Sequence, residues 1–558
     1  MDAGRTDGDG GATDEEVVSG QWSQSGLVIR MQASTASIPK DASAVILLRQ
    51  NTDPRDPEVF LARRSEKLAF LGGFWAFPGG QLDTFDAEVQ VSNSTGAEST
   101  AAISCAAREL FEELGILVAR GAESLTTGQR VSLLDDLESG RMSWPELLRH
   151  YNLRLDANDF TFVGRWVTPP FSARRFDTWF FLVNCPPKQE AQVIPGELSS
   201  GEWIAAGRAY EKWQRSEILA VPPTLHALKT IAAGLTPDLV ERFLAIPQAN
   251  REPVRRIEFR PNYICFPVRT PTKPPATHTN CYLVYNSQEI LIIDPGSPYE
   301  EEQHALAAAV DDLVREGRSV SEIVLTHMHP DHVSGVNALR AHLGEPVRVA
   351  AHRLTAESAG LLRTGSGSDR VAAPARPALA TAISDSMIRV DRMIEDDDLI
   401  RLEGSPEIVL RAVHTPGHTR GHLCFYEQRT GTLISGDNVV GLGSVLIDPP
   451  EGNMRDYLES LLRLRGLRNL SLILGGHGPA VGNPYGKIDD YIFHRLEREQ
   501  NILKAVQEGA ATPPEIVSRV YIDVSPKAHS MAERAVLAHL EKLEADGHVF
   551  YEQQGWHA

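Results

Sequence analysis

Hydrophobic and polar positions divide the chain into four stretches of different character. Residues 1–40 carry Gly, Asp and Glu without apolar periodicity, and read as a disordered acidic tail. An α/β stretch follows, from an apolar strand at 44–48 to a helical segment around 235–244. A second alternation starts near residue 250, with strand-like runs at 255–259, 281–285 and 289–293, the last ending in Asp294-Pro-Gly. The pattern then predicts a helix near 300–317, a strand at 323–326, and a helix over 333–343. That last helix puts Val336, Leu339 and Leu343 on one face and stops at Gly344. The Pro-rich stretch 267–280 reads as a crossing, and 364–380 and 395–398 read as loops. From Asp489 onward come three helical segments and a strand-like piece at 548–551. Thr512-Pro-Pro-Glu515 forms a capping box, and Leu537, Leu540 and Leu543 sit at helical spacing before Gly547. Three short helices and a hairpin suggest a winged-helix module.

A length of 558 residues allows three or four domains. The pattern divides them as a tail at 1–40, then 41–250, 251–486 and 487–558. A formal net charge of −19 opposes non-specific attraction to phosphate backbones or anionic membranes. From Lys487 onward there are 8 Lys and Arg against 12 Asp and Glu, a net of −4, which disfavours RNA as a partner of the last module. Packing or oligomerisation is at least as good a role for it. The five cysteines are scattered without metal-ligand spacing, as expected of reduced thiols. The N-terminus lacks a signal-peptide pattern and no apolar run reaches membrane-spanning length, so a cytoplasmic enzyme without a membrane partner is expected.

The densest chemistry is His327-Met-His-Pro-Asp-His332, three imidazoles and a carboxylate directly after an apolar strand. Imidazole nitrogen and carboxylate oxygen hold zinc and related divalent ions, and structural histidines seldom cluster this way. Further donors end short strands downstream beside glycine: His418 in Pro-Gly-His, Asp437 in Ser-Gly-Asp, and His477 in Gly-Gly-His-Gly. Of the other histidines, His414 reads as structural, while His304, His342 and His352 read as solvent-facing. His422 could line a substrate cleft or support the ligand loop. Asp294 reads as a turn residue or as a partner that orients an imidazole.

This ordered set, over roughly residues 255–485, resembles the metallo-β-lactamase superfamily. The resemblance implies an αββα sandwich holding two zinc ions: His327, His329 and His418 on one, Asp331, His332 and His477 on the other, and Asp437 bridging. It further implies metal-assisted hydrolysis of an ester, thioester or phosphodiester, with Asp331 also orienting the attacking water. The C-terminal segments 491–499, 512–517 and 538–543 resemble the winged helix of the β-lactamase-like protein 2 family, which includes an endoribonuclease. Residues 415–422 resemble glyoxalase II, a thioester hydrolase.

A second cluster lies in the first α/β stretch. Arg108-Glu-Leu-Phe-Glu-Glu-Leu-Gly-Ile116 predicts a helix beginning near Ser99, with Ile103, Ala107, Leu110 and Leu114 buried and Gly115 as its stop. Glu109, Glu112 and Glu113 share the other side, where three carboxylates suit a hard cation or form a solvated acidic face. With Phe77-Pro-Gly-Gly80 upstream, the segment resembles a Nudix box and so implies an α/β/α sandwich. Asp86 stands where the box has Glu, and an insertion from Glu88 to about Thr100 lengthens the loop. The resemblance implies Mg²⁺ or Mn²⁺ held by Glu109, Glu112 and Glu113 at a pyrophosphate, with Arg108 as a strut to a box carboxylate. Residues 60–80 and 168–183 resemble a coenzyme A-directed Nudix subgroup, although Ala69 replaces one of its arginines. That likeness makes Arg64, Arg174 and Arg175 substrate candidates; the last two could contact phosphates or brace a loop.

The expectation is therefore a multidomain α/β and α+β chain with two metal-dependent hydrolase heads, acting on a small nucleotide or thioester. The alternative is an inactive Nudix domain that binds a nucleotide and regulates an endoribonuclease-like or glyoxalase II-like zinc domain.

Overall fold

The computed structural model describes residues 37–49, 52–344, 347–358, 388–522 and 524–558. Most of the expected tail and the loop read at 364–380 lie outside them. The first half is built on a seven-stranded mixed sheet with Lys40–Leu48 at its centre. That strand runs parallel to Phe176–Asn184 and antiparallel to Glu58–Arg64 and Gly79–Gln81. It is buried on both faces, which is why its sequence is a continuous apolar run without alternation. Val45 and Leu47 face helix Ala97–Leu114, which buries Ile103, Ala107, Leu110 and Leu114 as expected. The helix starts at Ala97, about two residues earlier than expected, and ends where Gly115 takes φ 67°.

The second half holds two sheets packed face to face, one of seven strands and one of five. Tyr263, Val284, Ile293 and Val324 of the first meet Leu402, Leu410, Phe425 and Leu474 of the second in a single core. Helices Glu300–Arg315 and Val336–Leu343 cover one outer face, and Met454–Arg465 and Pro484–Gln507 the other. These four layers form the expected αββα sandwich. The predicted helix at 333–343 is split into Pro330–Val333 and Val336–Leu343. The Pro-rich stretch is not a crossing: Pro267 lies within strand Tyr263–Arg269, opposite Asn280 of His278–Tyr285. Hydrogen bonds at 262/285 and 270/277 make 267/280 a non-hydrogen-bonded pair, so the strand pairing asks for no N–H from Pro267; the Asn280 N–H faces the other way and donates to Gly476 O at 2.8 Å.

Helix Pro484–Gln507 belongs to two cores. Ile488 and Tyr491 pack on the five-stranded sheet, while Ile502, Ala505 and Val506 join a terminal cluster with Ile516, Leu540 and Trp556. Helices Pro513–Val520 and His529–Ala545 and a hairpin of Phe550–Glu552 with Gly555–His557 complete the terminal module.

The two halves are joined by apolar packing. The core between the αββα sheets is continuous with Ala44, Ile46 and Phe74 of the first sheet. Phe74 and Phe259 meet edge to face at 5.8 Å, and Trp213 Nε1 donates to Phe259 O at 3.2 Å. Among the described residues no helix is long and apolar enough to cross a membrane.

Candidate metal centre

Seven donors come together at one end of the αββα sandwich. His327, His329, Asp331 and His332 occupy the turn after strand Ser319–Val324; His418 follows Ile408–His414, Asp437 follows Thr432–Gly436, and His477 follows Leu472–Gly475. Strand ends of two packed sheets can converge on one point, and the short apolar strands behind each donor fix where it emerges.

His329 Nδ1 lies 3.0 Å from both His327 Nε2 and His418 Nε2. His477 Nε2 lies 3.5 Å from Asp331 Oδ2 and 3.2 Å from Asp437 Oδ2. His332 Nε2 lies 3.5 Å from Asp437 Oδ1 and 4.0 Å from Asp331 Oδ2. Asp437 also reaches His418 Nε2 at 3.7 Å, so it stands between the two donor groups. His327, His329, His418 and Asp437 are mutually close enough to share one ion, and Asp331, His332 and His477 a second.

The far side of the cage determines what the near side can do. His332 Nδ1 is 2.8 Å from Asp294 Oδ2, His477 Nδ1 is 2.8 Å from His278 O, and His418 Nδ1 is 2.9 Å from Leu446 O. Each of these oxygens only accepts, so each Nδ1 carries a proton and Nε2 is the inward-facing atom left to ligate a metal, by releasing its proton where it holds one. Thr326 Oγ1 donates its one proton to Asp294 Oδ2 at 2.6 Å, so it must accept from His327 Nδ1 at 3.0 Å. His327 is thereby set in the same tautomer. Asp294 thus acts as the orienting partner, one of the two roles open to it from sequence. The supporting roles of Thr326 and of the His278 and Leu446 carbonyls were missed. Only Thr326 left a signal, by preceding His327.

A cation fits this donor set. His332 Nε2 and Asp437 Oδ1 are buried with no hydrogen-bond partner, an arrangement that would be costly with nothing to coordinate. Gly476 leaves room for it: a Cβ there would lie 2.4 Å from Asp437 Oδ1 and 2.8 Å from His332 Cε1. Burial, reinforced by neighbouring imidazoles, holds His327 well below the ordinary imidazole range and brings His329 down to about 3, keeping both in the neutral, metal-binding form. Burial acts the same way on His332 and His477, but the Asp437 and Asp331 carboxylates outweigh it and hold both above that range.

His422 does not line a cleft. It is fully buried, with Nδ1 on Thr415 Oγ1 at 2.9 Å and Nε2 accepting the Asp437 N–H at 3.1 Å, so it supports the Asp437 turn. His414 stays outside the cluster, with Nε2 on Arg420 O. His304 and His342 are exposed, as expected. The expectation for His352 is corrected: it is buried, because its ring stacks on His414 at 4.3 Å and it faces Glu395.

The second cluster forms on helix Ala97–Leu114. Arg108 Nη1 donates to both Glu109 Oε1 and Glu112 Oε2 at 2.8 Å, and its Nη2 donates to the fully buried Asp86 at 2.9 Å. Asp86 therefore serves as the anchor of the expected strut. Glu113 Oε2 accepts the Gly79 N–H at 2.8 Å, and a Cβ on Gly80 would lie 2.4 Å from Glu109 Oε1. Burial is the main cause that raises Glu109 to about 7 and Glu113 to about 8. Arg64 acts on Glu113 electrostatically and lies 3.9 Å from Glu197. Arg174 is exposed. Arg175 braces its loop, donating to Thr168 O and Ser37 O at 2.9 and 2.8 Å, the second of the roles open to it.

Residues 274–477 match the metallo-beta-lactamase superfamily, and residues 512–556 match the beta-lactamase associated winged helix domain. The chain belongs to the metallo-beta-lactamase superfamily, and it is a hydrolase of that fold with a C-terminal winged helix. Among its relatives is the beta-lactamase-like protein 2 homolog of Drosophila melanogaster, 30% identical over 273 residues, 48% of this chain and 83% of that protein. The atrochrysone carboxyl ACP thioesterase dmxR1 of Cryptosporiopsis sp. is 25% identical over 344 residues, 58% of this chain and 92% of its own. A NUDIX hydrolase structure from Alicyclobacillus acidocaldarius is 28% identical, with a TM-score of 0.32, covering 39% of this chain and 98% of its own.

Proposed function

We propose that the chain is a bifunctional metal-dependent hydrolase whose principal centre cleaves an ester or thioester. In this reading His327, His329 and His418 hold one zinc ion, Asp331, His332 and His477 hold a second, and Asp437 contacts both. The observation that carries it is the set of inward-facing Nε2 atoms on imidazoles whose Nδ1 protons are already committed. Two divalent cations there would supply Lewis-acid polarisation of the scissile carbonyl and an ionised water near neutral pH. The chain's own part is positional. Asp294 and Thr326 fix His332 and His327, His422 fixes the Asp437 turn, and Asp331 can accept a proton from the attacking water. The thioester preference draws on the relative named as an acyl-carrier thioesterase. The acidic terminal module favours a small-molecule substrate over RNA.

The first half, residues 41–250, is read as a Nudix domain in which Glu109, Glu112 and Glu113 bind Mg²⁺ or Mn²⁺ and direct water at a pyrophosphate, coenzyme A derivatives being the candidate substrates. Its support is the placing of Glu113 against Gly79 and Glu109 against Gly80, with Glu112 tied to the same Arg108 as Glu109. A panel of thioesters, coenzyme A derivatives and short RNA, run on the parent, His329→Ala and Glu113→Gln chains, tests both readings. Thioester turnover lost only in His329→Ala and pyrophosphate turnover lost only in Glu113→Gln are the expected results. Turnover of neither class in metal-loaded parent protein overturns the assignment.

A further inference from the structure

Between the two halves lies a cavity of about 190 Å³ whose lining includes none of the proposed metal ligands of either centre. Phe70, Phe77, Trp166, Phe171 and Phe180 of the first half and Phe259 of the second line it. No charged side chain is among its lining residues. Its polar groups are few, and the Ser172 hydroxyl is committed to Arg174 O at 2.8 Å. A charged or strongly hydrated group would lose its solvation there without compensation, so the occupant must be apolar. A dry cavity of roughly 150 Å³ accommodates benzene, and rings from several directions favour edge-to-face and offset contacts with another ring.

The position of the cavity ties it to the chemistry. Pro479 forms part of its wall, two residues after His477. The His477 ring is in turn held by the His278 carbonyl, which accepts from its Nδ1 at 2.8 Å. Pro479 thus brings the cavity wall within two residues of a proposed metal ligand.

We infer that this seam cavity holds the apolar, aryl-sized acyl group of the substrate, with residues of both halves forming one specificity pocket. The inference rests on the ester or thioester reading of the metal centre. It makes the first half a contributor to substrate choice at the second.

Binding of an uncharged acyl mimic separates the two ideas, because it needs no turnover. Phenylacetamide titrated into the full chain by ligand-observed NMR should bind saturably, with Kd of ~1 mM or tighter for so small a ligand. Filling the cavity from two positions of the first half, by Ala76→Phe or Val167→Trp, should weaken binding at least about tenfold. The same variants should leave metal content unchanged and should lower kcat/KM for a phenylacetyl thioester by a larger factor than for an acetyl thioester. Absence of saturable binding by the parent overturns the inference, whatever the variants do. Undiminished binding in a folded filled variant does the same. Binding that behaves as expected in a chain that hydrolyses no thioester keeps the pocket and removes the proposed reaction.

Discussion

The histidine cage at 327–477 and the glutamate helix at 97–114 both press acidic side chains against glycine, yet they meet a cation in opposite ways. In the cage every supporting bond points outward, and the atoms left without partners point inward. On the helix, the carboxylates are satisfied by the protein itself, Glu109 and Glu112 by Arg108 and Glu113 by the Gly79 N–H. The first arrangement is incomplete without a metal. The second must share its carboxylates with the metal or loosen Arg108. Preorganised donors are therefore expected to retain a cation through purification; if the proposed Nudix reading holds, the helix should bind one only weakly.

The largest effect expected from this contrast is loss of the cage chemistry. His329→Ala should lower thioester kcat/KM by at least ~10³-fold, about 4 kcal/mol of transition-state stabilisation, without changing Mg²⁺ affinity of the helix. A coupled loss at both centres would erase the distinction between them. Next is the seam. Phe259→Ala removes a buried ring at the junction and should cost about 3 kcal/mol, seen as a lower urea midpoint reported together by probes in both halves. Separate transitions, with only one shifted, would mean that the halves are not energetically joined.

A smaller effect isolates the outer hydrogen bonds of the cage. Asp294→Asn leaves its size but weakens the hold on His332 and Thr326, and zinc affinity by chelator competition should fall roughly 10- to 100-fold. Unchanged affinity would mean that the tautomer is fixed by something else. The smallest is a pH effect on the helix. With its pKa at about 8 and that of Glu109 at about 7, Glu113 stays protonated in the native chain at pH values where the unfolded chain, at 4.5, has released the proton. The unfolded state then binds fewer protons, so stability is highest below pH 4.5 with respect to these groups and falls as pH rises through 7 to 8. In chelator, Glu113→Gln should make that fall shallower in urea titrations at successive pH values, and an unaltered slope would contradict the burial of Glu113.

Sequence made the donors legible because each is announced locally: His327 to His332 by their own density after a short apolar strand, and His418, Asp437 and His477 by a glycine immediately before them, each shortly after a strand. His327 to His332 need no tertiary knowledge to be suspected. What holds them is long-range: His278 lends a carbonyl to His477 from 199 positions away, and nothing in its own neighbourhood marks it. His352 was misread for the same reason, since its burial depends on His414 arriving from the other sheet and on Glu395 at the end of the neighbouring strand. Pro267 was misread from local composition, because whether proline breaks a strand depends on whether its position must donate to the neighbouring strand, and 267 need not. The seam was invisible because Phe74 and Phe259 look like ordinary core residues of separate domains.

The central claim is that the cage is built to be closed by metal. Elemental analysis of chain purified from zinc-replete cells and passed over a chelating resin tests it most directly. The account predicts about two zinc ions per parent chain, with fewer than one retained by Asp437→Ala. Parent protein that emerges folded and essentially free of transition metal would contradict it.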